Sequence, residues 1–551
     1  MPKKILITSA LPYVDGDLHI GNLVGHLAPS DIYARFCRAR GDDVLFVCGA
    51  DEHGTKSLIA AKKAGMPVLE YNDKWFEKQK KYVADFNMSF DYYGRTHTPA
   101  HEKLMHGIFS KLDENGLIEE RETIQPYGVD DGMFLADAYV RGTCPKCGYE
   151  NAAGNECPKC GAAFEVEELI NPRSALSGGA VEMRPTKNLF FLASKIEVEW
   201  KEWLAAHAPH WSKYARDIAR GWANEGLRDT SITRDLPWGI PVNKPGYENK
   251  VFYVWFDAPW GYVSISQAAN PNWADWWKNP DCHYAQFMAK DNVKFHSVFF
   301  PEQELAMNDN WKTVDMLKSM AFLNFEGGKF SKSENRGIFL DQALDDAPAD
   351  AWRYAVIASA PETDDTDFKI QRFADVVNKD LNGMLGNFVS RVTKITEKSF
   401  GAAVPKGQGA EDNGLEKAMN EKLAELTGAL DECEFRKAVE ALRGMWALGN
   451  EYMSEKAPWD LVKNGETGAA GAVLNECFQL IDFYARVSAP FIPATAEKIL
   501  AIFEAKRDLS WPEKYARRVA DGESFSVPDN LFERIDSDKI AEMTEKYIKD
   551  R

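Results

Sequence analysis

The first fifty residues combine two short apolar runs with a helical segment, and this combination favours one fold class. Residues 4–10 and 43–50 are mostly apolar, and residues 19–40 between them are predicted to form a helix. Two apolar strands joined by a helix are typical of a right-handed βαβ unit in a parallel sheet. The start of the chain therefore predicts an α/β fold with a Rossmann-type parallel sheet.

Polar, glycine-containing segments follow both predicted strands. Residues 11–22 (LPYVDGDLHIGN) lead into the helix, and residues 51–55 (DEHGT) follow the second strand. Ligands of open α/β sheets bind outside the carboxyl ends of the strands, so we expect both segments at one crevice. His19 could donate to a phosphoryl oxygen and Gly21 could let a ligand approach the backbone. Residues 11–22 are thus either a phosphate site or an ordinary loop-to-helix junction.

A cluster of four cysteines points to a metal. Cys144, Cys147, Cys157 and Cys160 form two CPKC pairs, each followed by glycine. Such a set can place four thiolates about 2.3 Å from one tetrahedral ion and leaves no open position for chemistry. A redox CxxC or two unrelated pairs are the alternatives, but the repeated pattern favours one structural Zn²⁺. The other five cysteines are scattered, which favours a reducing compartment and a cytoplasmic location.

The length of 551 residues predicts several domains. Helical patterns continue to about residue 117, strand-like sequence returns at 250–263 and 285–300, and residues from about 375 resemble a helical bundle. No apolar run reaches the 18 residues that a membrane span needs, so no membrane partner is expected. The net charge of −18 argues against indiscriminate nucleic-acid binding but allows a local basic face.

Residues 326–337 (EGGKFSKSENRG) have no apolar face and carry two lysines three residues apart. The segment is either a solvated surface loop or a flexible clamp. In the second case Lys329 and Lys332 would approach the charge that develops on a polyphosphate.

The HIGN of residues 19–22 and the KFSKS of residues 329–333 resemble the two signature motifs of class I aminoacyl-tRNA synthetases. Over nearly the whole chain, the resemblance is closest to the methionyl-tRNA synthetases. It rests on the order of seven segments: ALPYVDGDLHIGN, GADEHGT, the cysteine cluster, SITRDLPWGIPV, YVWFDAPWGY, KDNVKFHSVFFP and KAPWDLV.

The resemblance implies a domain order. A Rossmann-type catalytic domain (1–117 and 231–324) would be split by a zinc-binding connective insert (118–230). A region with the KMSKS loop and the stem contact (325–378), an all-α anticodon-binding bundle (379–530) and a C-terminal helix (531–551) would follow.

The resemblance also assigns roles to individual residues. His19, Lys329 and Lys332 would be catalytic. The ATP-binding residues would be His19, Gly21, Asn22, Asp291, Lys329 and Lys332, and the methionine-binding residues would be Ala10, Leu11, Tyr13, Asp51, Trp255, Ala258, Pro259, Tyr262 and His296.

The predicted methionine site also makes chemical sense. A thioether favours aromatic and apolar walls, and a carboxylate such as Asp51 would hold the substrate ammonium. Taken singly, Trp255 and Tyr262 could equally be core aromatic residues.

Three positions depart from the family pattern. Asn22 stands where many members have a second histidine, Phe330 replaces the methionine of KMSKS, and Phe300 stands where some relatives have tryptophan. The two phenylalanines exchange one apolar side chain for another. Asn22 removes a possible cation but keeps a hydrogen-bond donor, so we expect activity with altered ATP contacts.

The helical region carries a candidate RNA-binding face. Asn387 and Arg391 are four residues apart on a predicted helix, and Trp459 follows Pro458, where we expect an exposed ring. RNA-binding proteins stack single-stranded bases on aromatic rings and bond their edges. The resemblance implies that these three residues bind a CAU anticodon. A capped helix with a packed tryptophan is the alternative. Lys394 and Lys398 share the face of Arg391 but could be an ordinary solvated surface.

The implied reaction needs methionine, MgATP and tRNA(Met). The methionine carboxylate would attack the α-phosphorus, and the terminal adenosine of tRNA would then attack the methionyl-adenylate with its 2′-hydroxyl. Some relatives continue into an extra tRNA-binding, dimer-forming domain, which is not evident here, so either a monomer or a truncated chain is expected. Leucine, isoleucine and valine enzymes would need a larger editing insert, and a cysteine enzyme would place its metal in the amino-acid pocket. A non-catalytic tRNA-binding module or an unrelated nucleotidyltransferase are further alternatives.

Overall fold

The structure is a computed structural model that describes residues 2–136, 139–153, 157, 159–160, 166–330, 336–407 and 414–548. Its strands are, in chain order, β1 (Lys4–Ser9), β2 (Asp43–Ala50), β3 (Tyr92–Arg95), β4 (Ile118–Gly128), β5 (Met133–Phe134), β6 (Val140–Thr143), β7 (Ala152–Ala153), β8 (Ile170–Ser174), β9 (Val181–Phe191), β10 (Thr230–Ser231), β11 (Thr233–Arg234), β12 (Val251–Phe252), β13 (His283–Ala289), β14 (Met316–Met320), β15 (Leu323–Phe325) and β16 (Thr366–Phe368).

The α-helices follow the same numbering along the chain. They are α1 (Ile20–Asn22), α2 (Ala28–Ala39), α3 (Thr55–Lys63), α4 (Val68–Asp85), α5 (Pro99–Glu114), α6 (Glu197–His207), α7 (Lys213–Glu225), α8 (Val254–Asp257), α9 (Gly261–Ala269), α10 (Ala274–Trp277), α11 (Phe300–Ala306), α12 (Leu340–Asp346), α13 (Ala349–Ala358), α14 (Ile370–Val376), α15 (Asn387–Phe400), α16 (Leu415–Asp431), α17 (Phe435–Lys456), α18 (Pro458–Lys463), α19 (Thr467–Ser488), α20 (Pro493–Leu500) and α21 (Ser537–Tyr547).

The predicted parallel sheet is confirmed. Five parallel strands lie in the order β14-β13-β1-β2-β3. The chain leaves β1 towards β2 on one side, and the later strand β13 pairs with β1 on the other. The strand order therefore reverses between β1 and β13, and open α/β sheets bind ligands at the carboxyl ends of such a pair. The loops after β1 and β13 thus define the expected ligand crevice.

Three local predictions were wrong. The strand-like stretch 285–300 is extended only as far as Ala289 in β13, and most of the rest is helical. The strand-like stretch 250–263 is extended only over β12, and the rest is helical as α8, a short 3-10 turn and α9. Residues 261–266 of α9 are all buried. A helix that is buried all round shows a continuous apolar run without a polar face, as a buried strand does. Strand β3, which has only four residues, lies within the stretch predicted as helical.

The helix predicted over residues 19–40 is present but irregular. Between α1 and α2 the residues Leu23–Leu27 form a π-helical turn, and all five are buried. Single π-helical turns inside helices are rare and frequent at functional sites. This irregular turn lies directly behind His19, at the carboxyl edge of the sheet.

The cysteine-containing insert follows α5. Its strands β4 and β9 form a long antiparallel ladder from Ile118 to Gly128, and β6 pairs with β7 and β8 in a smaller sheet. A small separate core around Val140, Cys144 and Cys157 lies beneath the smaller sheet. The insert thus has its own hydrophobic cluster, as a distinct unit requires.

The residues after α14 are mostly helical, as predicted. These helices share one continuous core with the α2 face of the parallel sheet. Arg353 in α13 lies fully buried at this junction. It pairs with Asp31 of α2 at 2.6 Å and donates to the carbonyl oxygens of Pro490 and Phe491. Breaking such a buried pair leaves an uncompensated charge, so the contact fixes α2 against the helical region.

The C-terminal helix α21 folds back towards the sheet-bearing half. Tyr547 donates to the carbonyl oxygen of Gln342 at 3.0 Å, and Lys539 pairs with Asp346 at 2.9 Å. Within the ranges that the structure describes, no helix is both long and apolar enough to cross a membrane.

Candidate active site

A cavity of about 560 Å³ opens at the carboxyl ends of β1 and β13. Its walls come from residues 10–26, from residues 289–295 after β13, and from residues 321–330. The position is the one that the reversal of strand order predicts. Its size suits a nucleotide together with a small molecule.

His19 begins the helix at this cavity and is held in a reciprocal cap. Its backbone N–H donates to Asn22 Oδ1 at 3.1 Å, and its Nδ1 accepts from the backbone N–H of Gly21 at 3.1 Å. Because Nδ1 accepts, the proton of the neutral ring lies on Nε2. The cap therefore fixes the tautomer that can donate from Nε2.

Gly21 is required first of all by the imidazole. A Cβ at this position would lie 2.8 Å from His19 Cε1 and Nδ1, closer than side chains allow. The sequence predicts that this glycine lets a ligand approach the backbone. The close approach of the His19 ring is a second reason for a glycine at this position. Any larger residue would displace the ring that faces the cavity.

Residues 326–330, the described start of the lysine-rich segment, end against His19. The Phe330 ring stacks on the imidazole, with ring centroids 4.5 Å apart and an angle of 9° between the planes. Lys329 lines the same cavity. Lys332, the other predicted catalytic lysine, lies outside the described residues. The exchange of methionine for Phe330 thus provides a flat surface that covers His19.

Aromatic rings form a further part of the cavity wall. Trp255 stacks on Phe295 with ring centroids 3.3 Å apart, and Tyr13 meets Trp255 edge-on at 6.2 Å. Leu11 and Ala10 complete this wall. Aromatic and aliphatic groups in this arrangement suit an unbranched thioether side chain.

A buried polar pair lies behind the aromatic wall. The Tyr262 hydroxyl lies 2.9 Å from His296 Nε2, and His296 Nδ1 lies 2.9 Å from the carbonyl oxygen of Asn292. Since a carbonyl only accepts, Nδ1 carries the proton and Nε2 accepts from the tyrosine. Burial lowers the pKa of His296 to about 4 and raises the pKa of Tyr262 well above its usual range. Both side chains are therefore neutral near pH 7.

Asp51 is buried and incompletely bonded at the end of β2. Its side chain is 2% exposed, and Oδ1 has no hydrogen-bond partner among the described residues. Burial, reinforced by the charge of Asp257, raises the pKa of Asp51 well above its usual range. A buried carboxyl of this kind gains most from a cation that enters beside it.

The predicted site residues divide into two groups. The cavity walls contain Ala10, Leu11, Tyr13, His19, Gly21, Asn22, Trp255, Asp291 and Lys329. Asp51, Ala258, Pro259, Tyr262 and His296 are not part of these walls but lie buried behind them. The structure therefore brings four of the nine predicted methionine-binding residues and five of the six predicted ATP-binding residues together around one space, the sixth being Lys332, outside the described residues.

Several cavity residues were not predicted from the sequence. Phe295 stacks on Trp255, and Lys56 lies over the ring of Tyr13, with Nζ 4.1 Å from the centroid. Asp15, Asn292 and Lys294 also line the walls. Their position next to the predicted segments was the available signal, since Lys56 directly follows DEHGT and Phe295 precedes His296.

The four cysteines converge as predicted. Their Sγ atoms all lie within 4.8 Å of one another, with 3.9 Å from Cys144 to Cys160 and 3.7 Å from Cys147 to Cys157. Tetrahedral ligands 2.3 Å from an ion lie about 3.8 Å apart, so the spacing fits a metal and is too long for disulfides. This cluster could therefore hold a metal ion.

The predicted RNA-contacting residues share one region of the helical bundle. The Arg391 guanidinium lies 4.9 Å from the Trp459 ring, and Asn387 begins α15 one turn before Arg391. Asn387 lines a separate polar cavity of about 500 Å³.

The expectation of an exposed tryptophan was wrong, because Trp459 is half-buried against the core and has Arg391 over its ring.

Comparisons with known proteins identify the family of this chain. The family model described as tRNA synthetases class I (M) matches residues 5–393, and that of the anticodon binding domain of methionyl tRNA ligase matches residues 404–551. Methionine–tRNA ligase 1 of Acaryochloris marina is 45% identical over 99% of both chains. The methionine–tRNA ligase of Streptomyces avermitilis is 44% identical over 98% of both.

Solved structures show the same fold. Mycobacterium tuberculosis methionyl-tRNA synthetase in complex with methionyl-adenylate matches 97% of this chain and all of its own, with a TM-score of 0.81 and 22% identity. Its free form matches with a TM-score of 0.74 and 20% identity. The full-length relatives and the family models lead to one conclusion: this chain belongs to the class I methionyl-tRNA synthetase family.

Proposed function

We propose that this chain ligates L-methionine to its tRNA in an ATP-dependent reaction that proceeds through methionyl-adenylate. One observation carries the proposal. A single cavity at the switch point between β1 and β13 has a helix N-terminus with His19 and a lysine on one side and a thioether-compatible aromatic wall on the other. The two sides meet where a carboxylate could reach an α-phosphate.

Asp51 and the buried pair behind the wall would position methionine. The substrate ammonium enters beside Asp51 Oδ1, which lacks a partner. The Tyr262 hydroxyl lies against the backbone of Leu11 and donates to His296, so its direction is fixed. Ala258 and Pro259 precede Tyr262 in the same buried segment. These groups hold the amino acid with its carboxylate towards the nucleotide, and catalysis follows from positioning.

His19, Lys329 and Lys332 would stabilise the reacting phosphates. His19 Nε2–H donates to a phosphoryl oxygen, and the lysines approach the pyrophosphate as it leaves. Gly21 and Asn22 keep His19 in place, and Asp291 lies on the nucleotide side. Mg²⁺ arrives with ATP and neutralises part of the polyphosphate charge. In the second step, the 2′-hydroxyl of the terminal adenosine attacks the carbonyl carbon of the adenylate.

The remaining assignments concern the metal, the tRNA and the domains. Cys144, Cys147, Cys157 and Cys160 would bind one structural Zn²⁺, since four thiolates leave no open position. Asn387, Arg391 and Trp459 would read a CAU anticodon. The domain order is the one implied by the resemblance: 1–117 and 231–324 catalytic, 118–230 insert, 325–378 loop and stem contact, 379–530 anticodon binding and 531–551 the last helix. We further propose a monomer that works in the cytoplasm.

Substitution of Lys332 tests the phosphate side of this proposal. Loss of one transition-state donor should slow adenylate formation by roughly 10²-fold while methionine affinity stays nearly unchanged. Rapid-quench measurement of adenylate formation gives the rate, and equilibrium dialysis of methionine gives the affinity. Lys63→Ala, an exposed lysine at the end of α3, is the matched control. An unchanged rate in Lys332→Ala would remove that lysine from the mechanism.

A further inference from the structure

Lys56 is a cavity residue for which the reaction as described has no role. It lies in the first turn of α3, which begins after Gly54, a residue with a φ of 87°. The positive φ turns the chain sharply at the end of the DEHG segment, and a Cβ on Gly54 would lie 3.1 Å from Val254. This turn directs the Lys56 side chain into the cavity, where Nζ lies 4.1 Å from the centre of the Tyr13 ring.

The Lys56 ammonium lies in an acidic environment. Its charge acts on both Asp51 and Asp291 and partly offsets the raised pKa that burial gives each of them. Burial, together with the charges of Asp51, Asp15 and Asp291, raises the pKa of Tyr13, whose ring lies beneath the ammonium. The Lys56 charge thus acts on both the carboxyl expected to hold the substrate ammonium and the carboxyl expected on the nucleotide side.

Methionine binding would change the charges around Lys56. The substrate ammonium enters beside Asp51, and the Lys56 charge is then available for a new partner. The substrate carboxylate follows its ammonium by one carbon, and it must approach an α-phosphate that is itself negatively charged. Two anions meet most easily beside a fixed cation in a site that excludes water.

We propose that Lys56 is a further catalytic residue, whose ammonium bridges the methionine carboxylate and an α-phosphate oxygen during adenylate formation. The inference rests on the proposed function. A carboxylate oxygen forms the new bond to the α-phosphorus, and the bond from that phosphorus to the bridging oxygen breaks. Pyrophosphate leaves with the electron pair. Lys56 keeps its proton throughout and contributes only charge.

Methionine and L-methioninol differ in one group, the carboxylate, so comparing their binding distinguishes a carboxylate contact of Lys56 from a structural role. L-Methioninol has the thioether and the ammonium of methionine but lacks the carboxylate. If Lys56 contacts the carboxylate, Lys56→Ala should weaken methionine binding at least about 5-fold and leave methioninol binding within 2-fold of wild type. Calorimetric titration of the full-length protein measures both affinities.

The kinetic test uses the same variant. Lys56→Ala should slow adenylate formation at saturating methionine by roughly 10- to 100-fold, and Lys56→Arg should recover most of the rate. Lys63→Ala, at the other end of α3, should equal wild type. An unchanged rate in Lys56→Ala would overturn the proposal, and so would equal losses of methionine and methioninol binding. Failure of the proposed function is distinguishable, because wild-type protein would then form no methionyl-adenylate.

Discussion

Asn22, the residue that departs from the family motif, allows the most detailed prediction. Its Oδ1 accepts from the His19 backbone N–H at 3.1 Å, and its side chain also lines the cavity. Asn22→Ala removes this cap, which is typically worth about 1 kcal/mol, or roughly a 5-fold change in an equilibrium. We therefore expect a lower thermal midpoint and a roughly 5-fold lower kcat/KM for ATP.

Asn22→Asp separates the cap from the phosphate contact. Its carboxylate keeps the acceptor and suits a helix N-terminus, so the thermal midpoint should stay near wild type. The same charge faces the phosphates. At about 6 Å and an effective dielectric constant of about 20, one unit charge repels another by roughly 3 kcal/mol. Screening and side-chain motion reduce this figure, so we expect an increase of roughly 10- to 100-fold in the KM for ATP.

The assay is methionine-dependent exchange of pyrophosphate into ATP at varied ATP, with calorimetric thermal midpoints for each variant. Asn22→Ala should lower both stability and ATP use, whereas Asn22→Asp should impair ATP use alone. A wild-type KM for ATP in Asn22→Asp would refute the placement of Asn22 beside the phosphates. An unchanged midpoint in Asn22→Ala would refute the capping role.

Three further predictions address the amino-acid, metal and tRNA sites. Methionine binding should release a proton, because the pKa of Asp51, which burial raises, is lowered when the ammonium enters. Titrations in buffers of different ionisation enthalpy should detect this release, and buffer-independent heats would contradict it. Affinity should accordingly fall as the pH decreases and the free carboxyl takes up its proton. Cys147→Ser should lower the zinc content measured by mass spectrometry from one ion per chain, and full retention would exclude that ligand. Trp459→Ala should spare adenylate formation and weaken tRNA charging, whereas equal losses in both steps would make the residue structural.

Some parts of the fold were predictable from local sequence patterns. Short apolar runs and a polar turn predict the strands at 4–9 and 43–50 and the helix after His19. These signals are local, because each depends on only a few neighbouring residues. The cysteine cluster was predictable because metal ligation restricts both residue type and spacing. The helices at 254–269 were not, because burial on all sides removes the polar face that marks a helix.

The site was predictable only in part, for a similar reason. His19, Trp255 and Asp291 lie in segments with marked motifs, and they line one cavity. Phe295 lies in the same segment as Asp291, and Lys56 directly follows another segment, but which of these side chains line the walls depends on tertiary packing, which neither periodicity nor composition encodes. The cap that joins Asn22 to His19 depends on side-chain geometry, so the sequence could show the departure from the motif but not how the asparagine acts.

The most direct test of the account is amino-acid-dependent exchange of pyrophosphate into ATP, measured with the full-length protein and each of the twenty amino acids. The aromatic wall of Tyr13, Trp255 and Phe295, and the buried carboxyl of Asp51, predict exchange with L-methionine far above the others. Exchange that is strongest with a different amino acid, or no exchange by folded protein, would contradict the central claim.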